Sequence, residues 1–212
     1  MELYKTVREE ASASQTIERS RFIAHVKPVS SREEAEEFIA QIRGSYRDAT
    51  HNVPAMVLGD KAQIQWASDD GEPQGTSGAP MVQLMVGEGL TNLVIVVTRY
   101  FGGIKLGTGG LVRAYSSSAR LAIDAAGVCS VCSACRMRVQ VEYTYLDRIT
   151  KMASEGLTAE GAFVVADTDY GEKVTMTILS QEEDAQQVKD MLANLTSGTA
   201  QIIEESASLQ KV

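Results

Sequence analysis

The chain has 212 residues, 44% of them hydrophobic and 23% charged, which suits one sizeable core or two small ones and excludes a low-complexity or disordered composition. Its formal charge of −8 divides unevenly: residues 1–135 carry 13 Lys and Arg against 15 Asp and Glu, and residues 136–212 carry 7 against 13. A general basic footprint for nucleic acid is therefore absent, and the second half is poorly suited to neutralising phosphates.

Three cysteines are an odd count that suits a reducing compartment, no run reaches the length of a membrane span, and MELYKTVREEASASQ has no apolar signal core. The expectation is a cytoplasmic protein with no membrane partner.

After a polar opening stretch, Phe22 to Val29 reads as a strand carrying His25. Ser31 and Glu34 form a capping box for a helix whose apolar face is Ala35, Phe38, Ile39 and Ile42, with Gly44 as its stop. His51 to Leu58 reads as a strand with Pro54 at an edge or an irregular start, and Ile64 to Trp66 as a short one. His25 and His51 are the only histidines, and both read as structural. Pro80 opens a short helix holding Met81, Leu84 and Met85.

Between these lies SDDGEPQGTSGAPM, a loop without apolar period that contains Asp69, Asp70, Gly71, Glu72, Gly75 and Thr76. A loop this long inside a compact domain is uncommon and usually functional or disordered. It reads either as consecutive surface turns or as a wall of a site whose acids hold magnesium.

Leu93 to Thr98 is an unbroken β-branched run, the mark of a strand buried on both faces. Arg99, Tyr100 and Phe101 lead into a loop with Gly102, Gly103, Gly107, Gly109 and Gly110, and an apolar helical series runs from Leu111 to Gly127. Glycines free a backbone to expose its N–H groups, and a following helix adds the positive end of its dipole. That combination attracts anions, and Arg99, Lys105 and Arg113 add charge beside it. Thr108 sits inside the same GTGG run. The alternative is a tight turn packing strand on helix with no ligand. Neither the P-loop ending nor the last glycine of a dinucleotide fingerprint is present.

Cys129, Cys132 and Cys135 repeat at a cluster-like spacing. The alternation that follows marks a strand, which would turn Cys132 away from the other two, so they read as junction and core residues and no metal is assigned. Beyond them the order is strand, a helix at Asp147 to Ser154, a strand from Ala162, a turn at Asp169 to Gly171, a strand to Leu179, a helix capped by Ser180 with Glu183, and a last strand at Ala200 to Glu204. This βαββαβ order is ferredoxin-like.

SDDGEPQGTSGAPM followed by VVTRYFGGIKLGTGGLVRAY, with ERSRFIAHV and DATHNVPAM, resembles the paired signature of the IMPACT family in its bacterial YigZ-type branch. The resemblance covers essentially the whole chain. It departs at the cysteine junction and at Val53, where many members are expected to carry Cys. It implies an α+β protein of two domains: residues 1–134, similar to a ribosomal-protein-S5-domain-2-like α/β sandwich, and residues 135–212, a ferredoxin-like βαββαβ domain.

It also implies a non-enzymatic regulatory role linked to translation under amino-acid stress. The partner would be RNA, the ribosome or a translation-associated protein, with no cofactor and no legible DNA specificity. The site so expected is Arg99, Tyr100, Gly102, Gly103, Lys105, Gly107, Thr108, Gly109, Gly110 and Arg113, edged by Asp69, Asp70, Gly71, Glu72, Gly75 and Thr76. The alternative is an enzyme acting on a phosphorylated small molecule or nucleotide, with Asp69 or Asp70 as magnesium ligand or base.

Overall fold

In a computed structural model that describes residues 2–154 and 163–211, the chain is α+β with two sheets and divides into two compact units near Ser130. The first unit, Tyr4–Ser130, centres on β6 (Leu93–Tyr100). Five antiparallel strands lie in the order β2 (Ala11–Ile17), β3 (Ser20–Pro28), β6, β4 (His51–Leu58) and β5 (Ile64–Ala67).

Helices cover both faces, which is why β6 is apolar from Leu93 to Val97. Val94 and Val96 meet Phe38, Ile39 and Ile42 of α1 (Arg32–Ser45). Leu93, Ile95 and Val97 meet α2 (Gly78–Gly87) and α3 (Gly107–Ala126) through Met81, Met85, Tyr115 and Ile123. β1 (Glu2–Val7) adds Val7 to that core.

The polar opening stretch contains two strands the residue pattern did not announce, β1 and β2. β2 is built of small and hydroxylated residues, and its role is to lie under α3, where Gln15 donates to Ser117 and Ser118 at 2.8 and 2.7 Å. A two-residue turn with Glu18 and Arg19 at positive φ joins it to β3. Gly44, expected to stop α1, lies inside it; with nothing within 4 Å of its Cβ position it is tolerated, and the helix ends at Ser45. Ser31 does cap α1, accepting from Glu34 N at 3.2 Å, while Glu34 accepts from Ser30.

The second unit comprises Met1–Leu3 and Val131–Val212, so that β7 (Val128–Val141) enters it from Val131 onward. It also contains α4 (Tyr143–Ser154), β8 (Phe163–Tyr170), β9 (Val174–Gln181), α5 (Ala185–Leu195) and β10 (Gln201–Lys211). The antiparallel order β10-β7-β9-β8 is that of the ferredoxin-like arrangement. Met137, Val139, Met176 and Ile178 of the sheet pack on Ile149, Val188, Met191 and Leu192 of the helices. The capping box expected at Ser180 and Glu183 does not form: Ser180 is buried in β9, and a single 3-10 turn at Glu182–Asp184 leads into α5. The strand expected from Ala162 is described only from Phe163 onward.

Candidate functional site

The helix after β6 starts earlier than its apolar series suggested. Gly107, Thr108, Gly109 and Gly110 are not loop but the first turn of α3. Gly103 and Gly107 take φ of 87° and 69°, the left-handed region that favours glycine, and so turn the chain from the end of β6 into the helix. Gly102 is required for a different reason. A Cβ there would lie 2.1 Å from the Arg19 carbonyl, so only glycine lets this segment cross the β2–β3 turn.

Two amides of the segment are already used. Phe101 N donates to Thr50 Oγ1 at 3.0 Å and Gly102 N donates to Ser20 Oγ at 3.2 Å. The next amides are not. Leu106 stands at the capping position with no side chain able to accept, and among the described residues none outside the helix accepts from Gly107, Thr108 or Gly109. Those orphan donors and the helix dipole give the spot a positive potential.

In the loop preceding α2, Asp69 and Asp70 point to different partners. Asp69 accepts from Gly75 N at 2.7 Å, Ser77 Oγ at 2.7 Å, Ser77 N at 3.2 Å and Gly78 N at 2.9 Å, and so caps α2 from outside its chain order. Partial burial pushes its pKa up, but the hydrogen bonds from Ser77, Gly75 and Gly78 outweigh it and hold the carboxyl below the usual range. Asp70 accepts from Asn52 N at 2.7 Å and pairs with Arg43 at 2.9 Å. Thr76 is buried and donates to Pro73 O at 2.6 Å.

Glu72 folds inward, its side chain only 4% exposed. Its Oε1 accepts from Arg99 Nη1 at 2.6 Å and from the Tyr115 hydroxyl at 2.8 Å. Burial and the adjacent carboxylate push the Tyr115 phenol far above its ordinary range, which keeps it a donor. The strand period places Arg99 on the α3 side of β6, its guanidinium 5.4 Å from each of the Phe22 and Phe101 rings. Its Nε is buried without a hydrogen-bond partner. Arg99, expected as an exposed cation, is thus an interior one committed to Glu72.

His51 joins this group. Its Nδ1 lies 2.7 Å from Asp70 O; a carbonyl only accepts, so Nδ1 carries the proton and Nε2 of the neutral ring is an acceptor. Nε2 stands 3.9 Å from Glu72 Oε1, beyond hydrogen-bond reach.

A cleft of about 450 Å³ opens among these groups, lined by His51, Glu72 and Arg99, by Lys105, Gly107 and Thr108, and by Phe101, Leu106 and Leu111, which make it largely apolar. The expected site residues do not all meet there. Gly110 and Arg113 line a second hollow of about 510 Å³ with Ile17 and Ser117. Asp69 lines a third, about 410 Å³, beside Trp66. Tyr100 turns to the opposite face of β6, where its hydroxyl donates to Asp48 at 2.9 Å.

His51 and Tyr115 escaped notice as site residues. Tyr115 was legible only as one apolar position of a helix, and His51 as a structural ring; nothing local to either residue announces a common partner 21 and 43 positions away.

The three cysteines lie along β7, buried and unpaired, with Cys132 on the other face from Cys129 and Cys135. Among the described residues, no three His, Cys, Asp or Glu side chains group to hold a metal ion, and no helix is long and apolar enough to cross a membrane.

Residues 18–123 match the model of the Impact N-terminal domain, and residues 155–199 match a domain of unknown function (DUF1949). The chain is 39% identical over 201 residues to the IMPACT family member YvyE of Bacillus subtilis, covering 95% of this chain and 90% of that one. It is 32% identical to the family member YigZ of Escherichia coli, over 88% of this chain and 90% of that one. A crystal structure titled only as that of a hypothetical protein superposes with a TM-score of 0.61 at 30% identity, covering 96% of this chain and 98% of the other.

Proposed function

The chain belongs to the IMPACT family, and from that premise we propose that it is a regulatory protein linked to translation whose first unit binds an RNA phosphate at the amino end of α3. The observation that supports the reading is the uncapped first turn of α3, where the amides of Gly107, Thr108 and Gly109 have no acceptor outside the helix among the described residues and Gly107 and Thr108 line a cleft with Lys105. The translation link rests on the family's association with translational control in eukaryotes.

Affinity drawn from so few cations is modest. A near-balanced domain with Lys105 at the cleft and Arg113 in the separate hollow beside Ile17 releases few counterions, so binding depends on the fixed amides more than on diffuse charge. The expected behaviour is a weak, moderately salt-sensitive interaction with single-stranded RNA or exposed ribosomal RNA.

The test is co-sedimentation of the full chain with ribosomes, and fluorescence anisotropy with a labelled single-stranded RNA, for wild type and for Lys105→Ala combined with Arg113→Ala. Binding that weakens several-fold in the variant supports the reading. Binding that is absent in the wild type, or unchanged in the variant, contradicts it.

A second reading, an enzyme acting on a phosphorylated small molecule, is favoured by His51, whose Nδ1 is fixed by Asp70 O while Nε2 is left unbonded at the cleft. Asp69 and Asp70 are engaged with α2 and with Asn52 and Arg43, so the proton-accepting role would fall to His51 rather than to either acid.

A further inference from the structure

β10 is a margin of the second unit's sheet. Among the described residues it pairs with β7 alone, so one side of its eleven residues offers its main-chain N–H and C=O groups to no other strand. Soluble proteins commonly guard such an edge with prolines, lysines or short length. β10 uses none of these from Gln201 to Gln210, and it exposes three large apolar side chains, Ile202, Ile203 and Leu209, at 41, 51 and 60%. A bulge between Ile202 and Glu204 leaves Ile203 without a partner on β7. The two acids of β10 do not guard the edge either, because each is paired within the unit. Glu204 lies 3.8 Å from Arg138, and Glu205 accepts from Lys189 at 2.7 Å.

We propose that β10 pairs with β10 of a second copy of this chain, antiparallel about a two-fold axis at Ser206, so that two second units share one continuous sheet. A two-fold pair presents the same surface twice, so the strand must complement its own reverse. About Ser206 it does. Ile203 stands opposite Leu209, Glu204 opposite Ser208, Glu205 opposite Ala207 and Gln201 opposite Lys211, each twice, and no like charges are opposed. Neighbouring registers fail this condition. An axis at Glu204 or Glu205 sets an acid against itself, and an axis at Ala207 sets Leu209 against Glu205. Strand addition supplies main-chain hydrogen bonds, and burial of the apolar pairs adds to them. The pairing lies in the second unit and does not depend on any RNA contact at α3.

Sedimentation equilibrium of the full chain over a range of concentrations measures the assembly. The expected result is a reversible dimer, weakened about tenfold by Leu209→Lys, which removes two cross-strand apolar pairs at an exposed position. Disulfide trapping reads the register, since the three native cysteines are buried. In Ser206→Cys the introduced thiols face each other across the axis, and oxidation links the copies. In Ser208→Cys, on the same face of β10, they lie four residues apart, about 13 Å along the strands and too far for a disulfide. Thermal unfolding checks that each variant folds.

A wild type that stays monomeric at every concentration overturns the proposal. So does a dimer that Leu209→Lys leaves unchanged, because that dimer forms through another surface. A dimer in which Ser206→Cys cross-links no better than Ser208→Cys overturns the register and with it the pairing. Association weakened by Leu209→Lys, with cross-linking confined to Ser206→Cys, supports it.

Discussion

Arg99 and Glu72 form an ion pair of 2.6 Å closed off from solvent, their side chains 6% and 4% exposed. It ties the end of the central strand to the loop before α2, and Tyr115 adds the first half of α3 to the same carboxylate. One oxygen therefore joins three elements, and the cleft exists because they are held there.

Removing one member leaves a buried charge without its partner, so Arg99→Ala is expected to cost about 3–5 kcal/mol. Tyr115→Phe, which removes one hydrogen bond and leaves Arg99 in place, is expected to cost about 1–3 kcal/mol. Urea denaturation at neutral pH measures both. A cost below 1 kcal/mol for Arg99→Ala would mean that the pair does not hold the cleft together.

Gly102→Ala tests the crossing of the β2–β3 turn. Its Cβ would lie 2.1 Å from the Arg19 backbone, with no flexible side chain there to yield. A destabilisation of about 1–3 kcal/mol or more is expected. Gly109→Ala is the contrasting control, since that glycine has no positive φ and nothing within 4 Å of its Cβ position.

Neither conformation nor packing asks for glycine at position 109, so its replacement by an acid separates stability from binding. Gly109→Asp places a good first-turn residue and a negative charge at the start of α3, and is expected to stabilise the fold by about 0.5–1 kcal/mol. The same charge repels an incoming phosphate, and RNA binding should fall at least tenfold. A raised melting temperature with unchanged RNA affinity would place any RNA contact elsewhere.

Asp69 makes stability depend on pH. Its carboxyl is depressed in the folded chain by the donors of Ser77, Gly75 and Gly78, despite the opposing effect of burial. A group depressed on folding contributes stability above its unfolded pKa and loses it as the pH falls through the folded value. The stability gap between wild type and Asp69→Ala should thus be full at neutral pH and shrink below about pH 4. Chemical denaturation across that range reads it, and a gap independent of pH would remove Asp69 as the cap of α2.

Much of the architecture was legible because strong local signals agreed with the final packing. The run Leu93 to Val97 is apolar on every residue because helices cover both faces of β6. The second unit follows its alternating strands and amphipathic helices into the expected order. β2 was missed because its residues are small: Ala11, Ala13 and the serines form a strand only by lying between β3 and α3.

The candidate site was less legible, for a related reason. A sequence shows that Arg99 is basic and Glu72 acidic, but not that the pleat turns Arg99 inward or that a loop without apolar period buries its third acid. Their meeting is a tertiary event, and so is the place of His51 beside them.

The most direct measurement is a titration of the isotopically labelled chain with single-stranded RNA, followed by amide NMR. The account predicts saturable shifts of the Gly107, Thr108 and Gly109 amides, abolished by Gly109→Asp, with the Gly102 amide, already bonded to Ser20, moving little. Amides of α3 that stay still while signals beyond Val131 shift would contradict it.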